Sequence, residues 1–129
     1  MSNDALVGTQ GLAEMVVTEK DTALQMGSGG VNVLSTPTMI ALMEKAAQTS
    51  VRPLMKEGYI TVGIAINIKH LRATPVGMRV TAESVLTQVE GKQLHFQVIA
   101  RDEKGVVGSG THARAIVEYD RFMEKVAYS

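Results

Sequence analysis

Three side chains of this 129-residue chain have types suited to carbonyl chemistry: Thr36, Glu44 and His70. Thr36 and Glu44 lie in STPTMIALMEKAA, Ser35 to Ala47, and His70 lies near the end of TVGIAINIKHL. Glu44 has no Lys or Arg at positions 40, 41, 47 or 48, so no ion pair within its own helix accounts for it. A partly buried carboxylate costs free energy unless it is hydrogen-bonded, which makes Glu44 either half of a structural pair or a working acid, base or nucleophile. Thr36 precedes Pro37 and has the residue type of a helix cap. The same place puts its hydroxyl at the positive end of a helix, where free N–H groups polarise a carbonyl and stabilise a developing oxyanion. His70 continues the alternation of Val62, Ile64, Ile66 and Ile68, so it is expected on the buried face as that strand ends. A lone His there is more often a core residue, but a His brought to a carboxylate is a common acid–base pairing.

These residues need elements to position them. Ser35 or Thr36 caps a helix that runs to about Arg52, before Pro53 and Gly58. Its apolar stripe is Met39, Ile40, Met43, Ala46, Ala47, Val51 and Leu54, with Lys45, Gln48 and Arg52 opposite and Glu44 on the flank. A first strand is expected over Glu14 to Gln25, ended by MGSGG, and four more over Ile60–Leu71, Met78–Glu90, Lys92–Asp102 and Val106–Tyr119. The last three are joined by turns too short for a parallel crossover and form an antiparallel meander; RFMEKV makes a final helical turn. Residues 1–129 read as a single α+β domain, an antiparallel sheet of about five strands curled around one long helix. One side of such a sheet stays open, which calls for a second copy, a homodimer.

Two glycines in GSGTHAR, Gly108 to Arg114, permit a bulge or a close backbone approach, and His112 and Arg114 share their parity. Arg114 suits a phosphate or a carboxylate, and an intersubunit salt bridge equally well. His95 faces away from Leu94, Phe96 and Val98 and receives no role.

Composition removes other functions. Lys and Arg (13) balance Asp and Glu (13), and five aromatic side chains offer few stacking platforms, so a nucleic-acid partner is not expected. The absence of Cys excludes thiolate catalysis and disulfides and fits the cytoplasm. No secretory signal and no apolar run of roughly 20 residues is present, so no membrane association is expected. MGSGG lacks the Lys-Ser or Lys-Thr of a P-loop, three scattered His residues give no metal site, and there is no GxSxG elbow.

Three segments, STPTMIALMEKAA, VGIAINIKHLRATPVGMRV and GSGTHARAIVEYDRFMEKV, resemble the hotdog-fold thioesterases related to fluoroacetyl-CoA thioesterase, over about Leu34 to Val126. The resemblance implies a hotdog homodimer, with a tetramer left open, and acyl-CoA sites at the subunit interface. It implies a catalytic set of Thr36, Glu44 and His70, with Gly63 and Arg114 at the substrate, no metal, and no cofactor beyond the CoA of the substrate. Glu44 would attack the thioester or activate water, Thr36 would orient the carbonyl, and His70 would polarise it or assist proton transfer. Contacts to CoA fall to Arg72, Arg79, Arg114 or the lysines. The fluoroacetyl-specific member carries aromatic lid residues shortly before its Thr, whereas MGSGGVNVL has none. The expected substrate is therefore another short or small acyl-CoA. The alternatives are a non-hydrolytic acyl-CoA or acyl-carrier binding protein, a structural dimer in which Glu44 and His70 pair, and a hotdog dehydratase.

Overall fold

A computed structural model describes residues 3–128. Its long helix owes its start to Ser35, whose hydroxyl accepts the Thr38 N–H at 3.1 Å while Pro37 occupies the first turn. The helices and strands, in chain order, are β1 (Gln10–Val16), α1 (Ala23–Met26), α2 (Thr36–Val51), β2 (Tyr59–His70), β3 (Arg79–Glu90), β4 (Gln93–Asp102), β5 (Gly105–Glu118) and α3 (Tyr119–Tyr128). The strands form one antiparallel sheet in the order β1-β3-β4-β5-β2. The β3-β4-β5 meander is as expected, with Gly91 and Gly105 at positive φ in its two turns.

The sheet curls around α2. Met39, Leu42, Met43, Ala46, Ala47 and Val51 are buried there against Val80, Leu86, Leu94 and Phe96 of the sheet. Relative to the expected stripe, the buried face is turned towards Leu42: Ile40 is only half-buried, and Leu54 is exposed in a 3-10 turn beyond the helix end. The small residues at 46 and 47 let β1 lie close on the helix. A side chain at Gly11 would collide with the Ala46 carbonyl.

Three expectations are corrected. The first strand is Gln10–Val16, not Glu14–Gln25; residues 19–21 and 23–26 form a 3-10 turn and a short helix. Local hydrogen bonding decides this, since the Thr18 N–H and hydroxyl both donate to the Asp21 carboxylate and the Thr22 hydroxyl accepts the Gln25 N–H. The tail is a ten-residue helix rather than one turn. The third concerns β2, whose register on β5 slips between Gly63 and Ala65. Thr61 and Gly63 face the helix before this bulge, and Ile66, Ile68 and His70 stand opposite inward-facing positions of β5 after it. Val62 and Ile64 therefore do not share the inward face of His70, and Ile64 is 48% exposed.

Among the described residues β2 pairs only with β5 and is an edge strand, although it carries Ile60, Ile64 and Ile66 exposed. Among the described residues, no helix is long and apolar enough to cross a membrane.

Candidate active site

The first of two clusters forms where α2 begins. Because Ser35 takes the cap, the Thr36 hydroxyl is free of that duty, and its Oγ1 lies 2.7 Å from His70 Nδ1. His70 reaches this point because the β2 bulge gives it inward parity at the strand's last position. Burial pushes the His70 pKa below its ordinary value, opposed by a backbone hydrogen bond at Arg72, so the imidazole is neutral at neutral pH. Its Nε2 is buried without a hydrogen-bond partner among the described residues. A cleft of about 520 Å³ borders the pair, walled by Ala23, Gly29, Val31, Leu34 and Leu71.

The second cluster lies further along α2, around Glu44. Its Oε2 is 4.0 Å from Arg114 Nη1, an ionic approach too long for a hydrogen bond, and the side chain is 40% exposed. Arg114 is buried and held rigidly: Nε donates to the Thr61 hydroxyl at 2.9 Å and Nη2 to the Thr61 carbonyl at 3.0 Å. Its Nη1 lies 3.2 Å from His112 Nε2, and His112 Nδ1 lies 2.8 Å from the Ala65 carbonyl. A carbonyl only accepts, so Nδ1 carries the proton, and Nε2 accepts from the guanidinium. His112 is thus neutral. Burial lowers its pKa and the Arg114 charge adds to that, against the Ala65 hydrogen bond and the Glu44 charge, which raise it. Burial likewise draws Arg114 below the usual guanidinium value, with Glu44 opposing.

Gly63 is the opening in this cluster. A Cβ there would stand 3.0 Å from Glu44 Oε2 and 3.4 Å from His112 Cε1, so glycine leaves the carboxylate accessible beside the strand. Glu44, Gly63, Ile64, Ala65, Ile66 and His112 line a cleft of about 300 Å³.

The sequence-derived residues therefore fall into two groups, Thr36 with His70 and Glu44 with Gly63 and Arg114. Within one protomer the groups are separate. Thr36 and Glu44 are eight residues apart on α2, about 12 Å along its axis. Gly63 and His70 are seven apart on β2, about 20 Å along the strand. His112 and Thr61 received no functional reading from sequence; their signal was the parity that His112 shares with Gly108, Gly110 and Arg114. Of the arginines considered for CoA, Arg72 is committed to an ion pair with Asp102 and Arg114 to Thr61. No group of three or more His, Asp or Glu suited to a metal ion occurs among the described residues.

A five-stranded antiparallel sheet curled round one long helix is the architecture of the hotdog thioesterases. A hot-dog-like protein from Thermanaerovibrio acidaminovorans superposes with a TM-score of 0.90 at 25% identity, over 99% of this chain and 96% of that one. Within that class, the chain belongs to the family described as FlK, fluoroacetyl-CoA-specific thioesterase, whose model matches residues 17–120. It is 39% identical over 94 residues to the fluoroacetyl-CoA thioesterase of Streptantibioticus cattleyicolor, spanning 73% of this chain and 68% of the relative. The solved structure of the fluoroacetyl-CoA thioesterase FlK matches with a TM-score of 0.88 and 32% identity, over 95% of this chain and 96% of that one.

Proposed function

We propose that the protein hydrolyses the thioester of a short or small acyl-CoA to the free acid and CoA, using Thr36, Glu44 and His70 at an interface between two copies. The hydrolysis of acyl-CoA rests on the fluoroacetyl-CoA thioesterases to which the chain is related. The observation that carries the catalytic set is the division of its members along an unpaired edge strand. Thr36 and His70 lie at one end of β2, and Glu44 lies against Gly63 about 20 Å away. Antiparallel pairing of β2 with the β2 of a second copy, centred near Ile66 and Asn67, would bring each Thr36–His70 pair beside the partner's Glu44 and Gly63. It would also cover Ile64 and Ile66, which a monomer leaves exposed.

The chemistry follows from the groups so assembled. Thioester hydrolysis needs a nucleophile, a site for the tetrahedral oxyanion and a proton for the departing thiolate. Among the described residues Glu44 has no hydrogen-bond partner, only the 4.0 Å approach of Arg114, and it either takes the proton of an attacking water or attacks the carbonyl carbon itself. Arg114 sits behind it as a fixed cation, held by its bonds to Thr61. The Thr36 hydroxyl, at the positive end of α2, orients the carbonyl, and neutral His70 relays a proton through Thr36. The walls beside Thr36 and His70 are mostly aliphatic and small, Ala23, Gly29, Val31 and Leu34, with Ser28 and Arg72 as polar members and no Phe, Tyr or Trp in the lining. That supports a small aliphatic acyl group other than fluoroacetyl.

Free-thiol release from a panel of acyl-CoAs tests the reading, with fluoroacetyl-CoA and acetyl-CoA included. Turnover that favours a small acyl group supports it. Tight acyl-CoA binding without turnover of any member would instead make the protein a binding module.

A further inference from the structure

Among the described residues no carboxylate pairs with His70, but one lies a step away, behind the turn that follows it. Asp102, at the end of β4, has a buried carboxylate. Its Oδ1 accepts from Arg72 Nη2 in an ion pair and from the Lys104 N–H at 2.8 Å, and its Oδ2 accepts from the Thr74 hydroxyl at 2.9 Å. Burial alone would push the Asp102 pKa up, but the Lys104 amide, the Thr74 hydroxyl and Arg72 together bring it below the usual carboxylate range, so it is ionised.

Both residues it grips belong to the turn that follows His70. Arg72 is two residues beyond the imidazole, and the Leu71 and Arg72 amides donate to the Val107 carbonyl at 2.7 and 3.3 Å. Thr74 is fully buried, and its carbonyl accepts the Leu34 N–H at 2.8 Å, two residues before Thr36. Pro75 bridges Val33 in the same ladder. One carboxylate thus holds the turn that follows His70 and that also pairs with Val33 and Leu34, the segment leading into Thr36.

We propose that Asp102 is a positioning residue for the thioesterase reaction, clamping Arg72 and Thr74 so that His70 and Thr36 meet at hydrogen-bond distance. The inference rests on the proposed activity for its kinetic consequence but not for its geometry. Loss of the clamp lets the turn relax, and a misplacement of about 1 Å at reacting groups costs up to about a hundredfold in rate.

The test uses the full chain with Asp102→Asn, Thr74→Val and Thr74→Ser. Two quantities are read: kcat and KM on an acyl-CoA that the wild type hydrolyses, and the ¹⁵N–¹H ring signals of His70 in the free protein. Asp102→Asn is expected to lower kcat by about tenfold to a hundredfold with KM within about threefold, because positioning acts on the transition state. It should also shift the His70 Nδ1 signal. Thr74→Val should do both to a smaller extent, and Thr74→Ser should restore both. Should Asp102→Asn fail to fold, the Thr74 pair carries the test. Folded variants with wild-type His70 ring signals overturn the proposal, whether or not their melting temperatures fall, since Asp102 would then be a stabilising residue alone. A wild type inert on every acyl-CoA sinks the proposed activity instead, and the ring signals still decide whether Asp102 positions His70.

Discussion

Replacing Glu44 by Gln separates the working carboxylate from the structural one. The amide keeps the volume and loses the charge and the basicity. On the stability side, Glu44 is 40% exposed, its approach to Arg114 is 4.0 Å, and no hydrogen bond joins them. A solvent-screened contact of that kind contributes about 0–1 kcal/mol. Arg114 keeps both bonds to Thr61 when Glu44 is changed, so the buried cation is not stranded. At about 2–4 °C for each kcal/mol in a chain near this size, the melting temperature should fall by less than about 4 °C. On the activity side, removal of a general base costs roughly 10²–10⁴-fold, or about 3–5 kcal/mol of transition-state stabilisation. Free-thiol release measured beside thermal denaturation by circular dichroism reads both quantities on one sample. A folded Glu44→Gln protein that keeps kcat within about threefold would refute the assignment. A loss of activity matched by a fall in melting temperature of about 10 °C or more would return Glu44 to a structural pair with Arg114.

Thr36→Val should leave thermal stability within about 0.5 kcal/mol, because Ser35 holds the cap, while kcat falls and Thr36→Ser recovers it; equal stability loss in both variants would contradict this. The acid side of kcat/KM should have its midpoint below 6.5, since burial lowers the His70 pKa and its neutral form persists to lower pH; an acid midpoint above 6.5 would contradict the lowered pKa, and a rate that rises as pH falls through this range would make protonated His70 the active form. His70 and His112 are both depressed relative to the unfolded chain, which therefore binds more protons than the folded one as pH falls below 6.5. Their stabilising contribution is complete above 6.5 and is lost as pH drops towards the folded values, so denaturant midpoints should decline through that window. Ile64→Lys places a charge on the exposed edge of β2 and should give monomers of low activity by light scattering; an active monomer would remove the interface from the mechanism.

Much of the fold was legible in local pattern. The helix announced itself through Ser35, Pro37 and a 3.6-residue apolar period, and β2 to β5 through alternation broken at Gly77, Gly91 and Gly105, where the chain takes positive φ. Residues 19–25 look like strand in sequence because their β-branched and charged composition conceals two hydrogen-bonded caps, at Thr18 and Thr22. Of the site, the residue types were visible and their company was not. Glu44 was conspicuous for lacking a partner on its own helix, and the partner proved to be Arg114, seventy positions away on β5.

Periodicity, caps and turn glycines act over a few residues, so the long helix, strands β2 to β5 and the chemical inventory can be read without the fold. Which groups meet depends on contacts between residues far apart in the chain. The slip at Gly63 reverses the parity of β2 and turns His70 inwards, and no composition rule forecasts a bulge that arises from pairing with β5. Ser35 rather than Thr36 caps α2, a choice between neighbouring hydroxyls that is settled only when His70 arrives 34 residues later to engage the second. The Asp102 grip on the turn behind it is of the same kind. A buried charge must find donors, and only the folded chain supplies them from positions 72, 74 and 104.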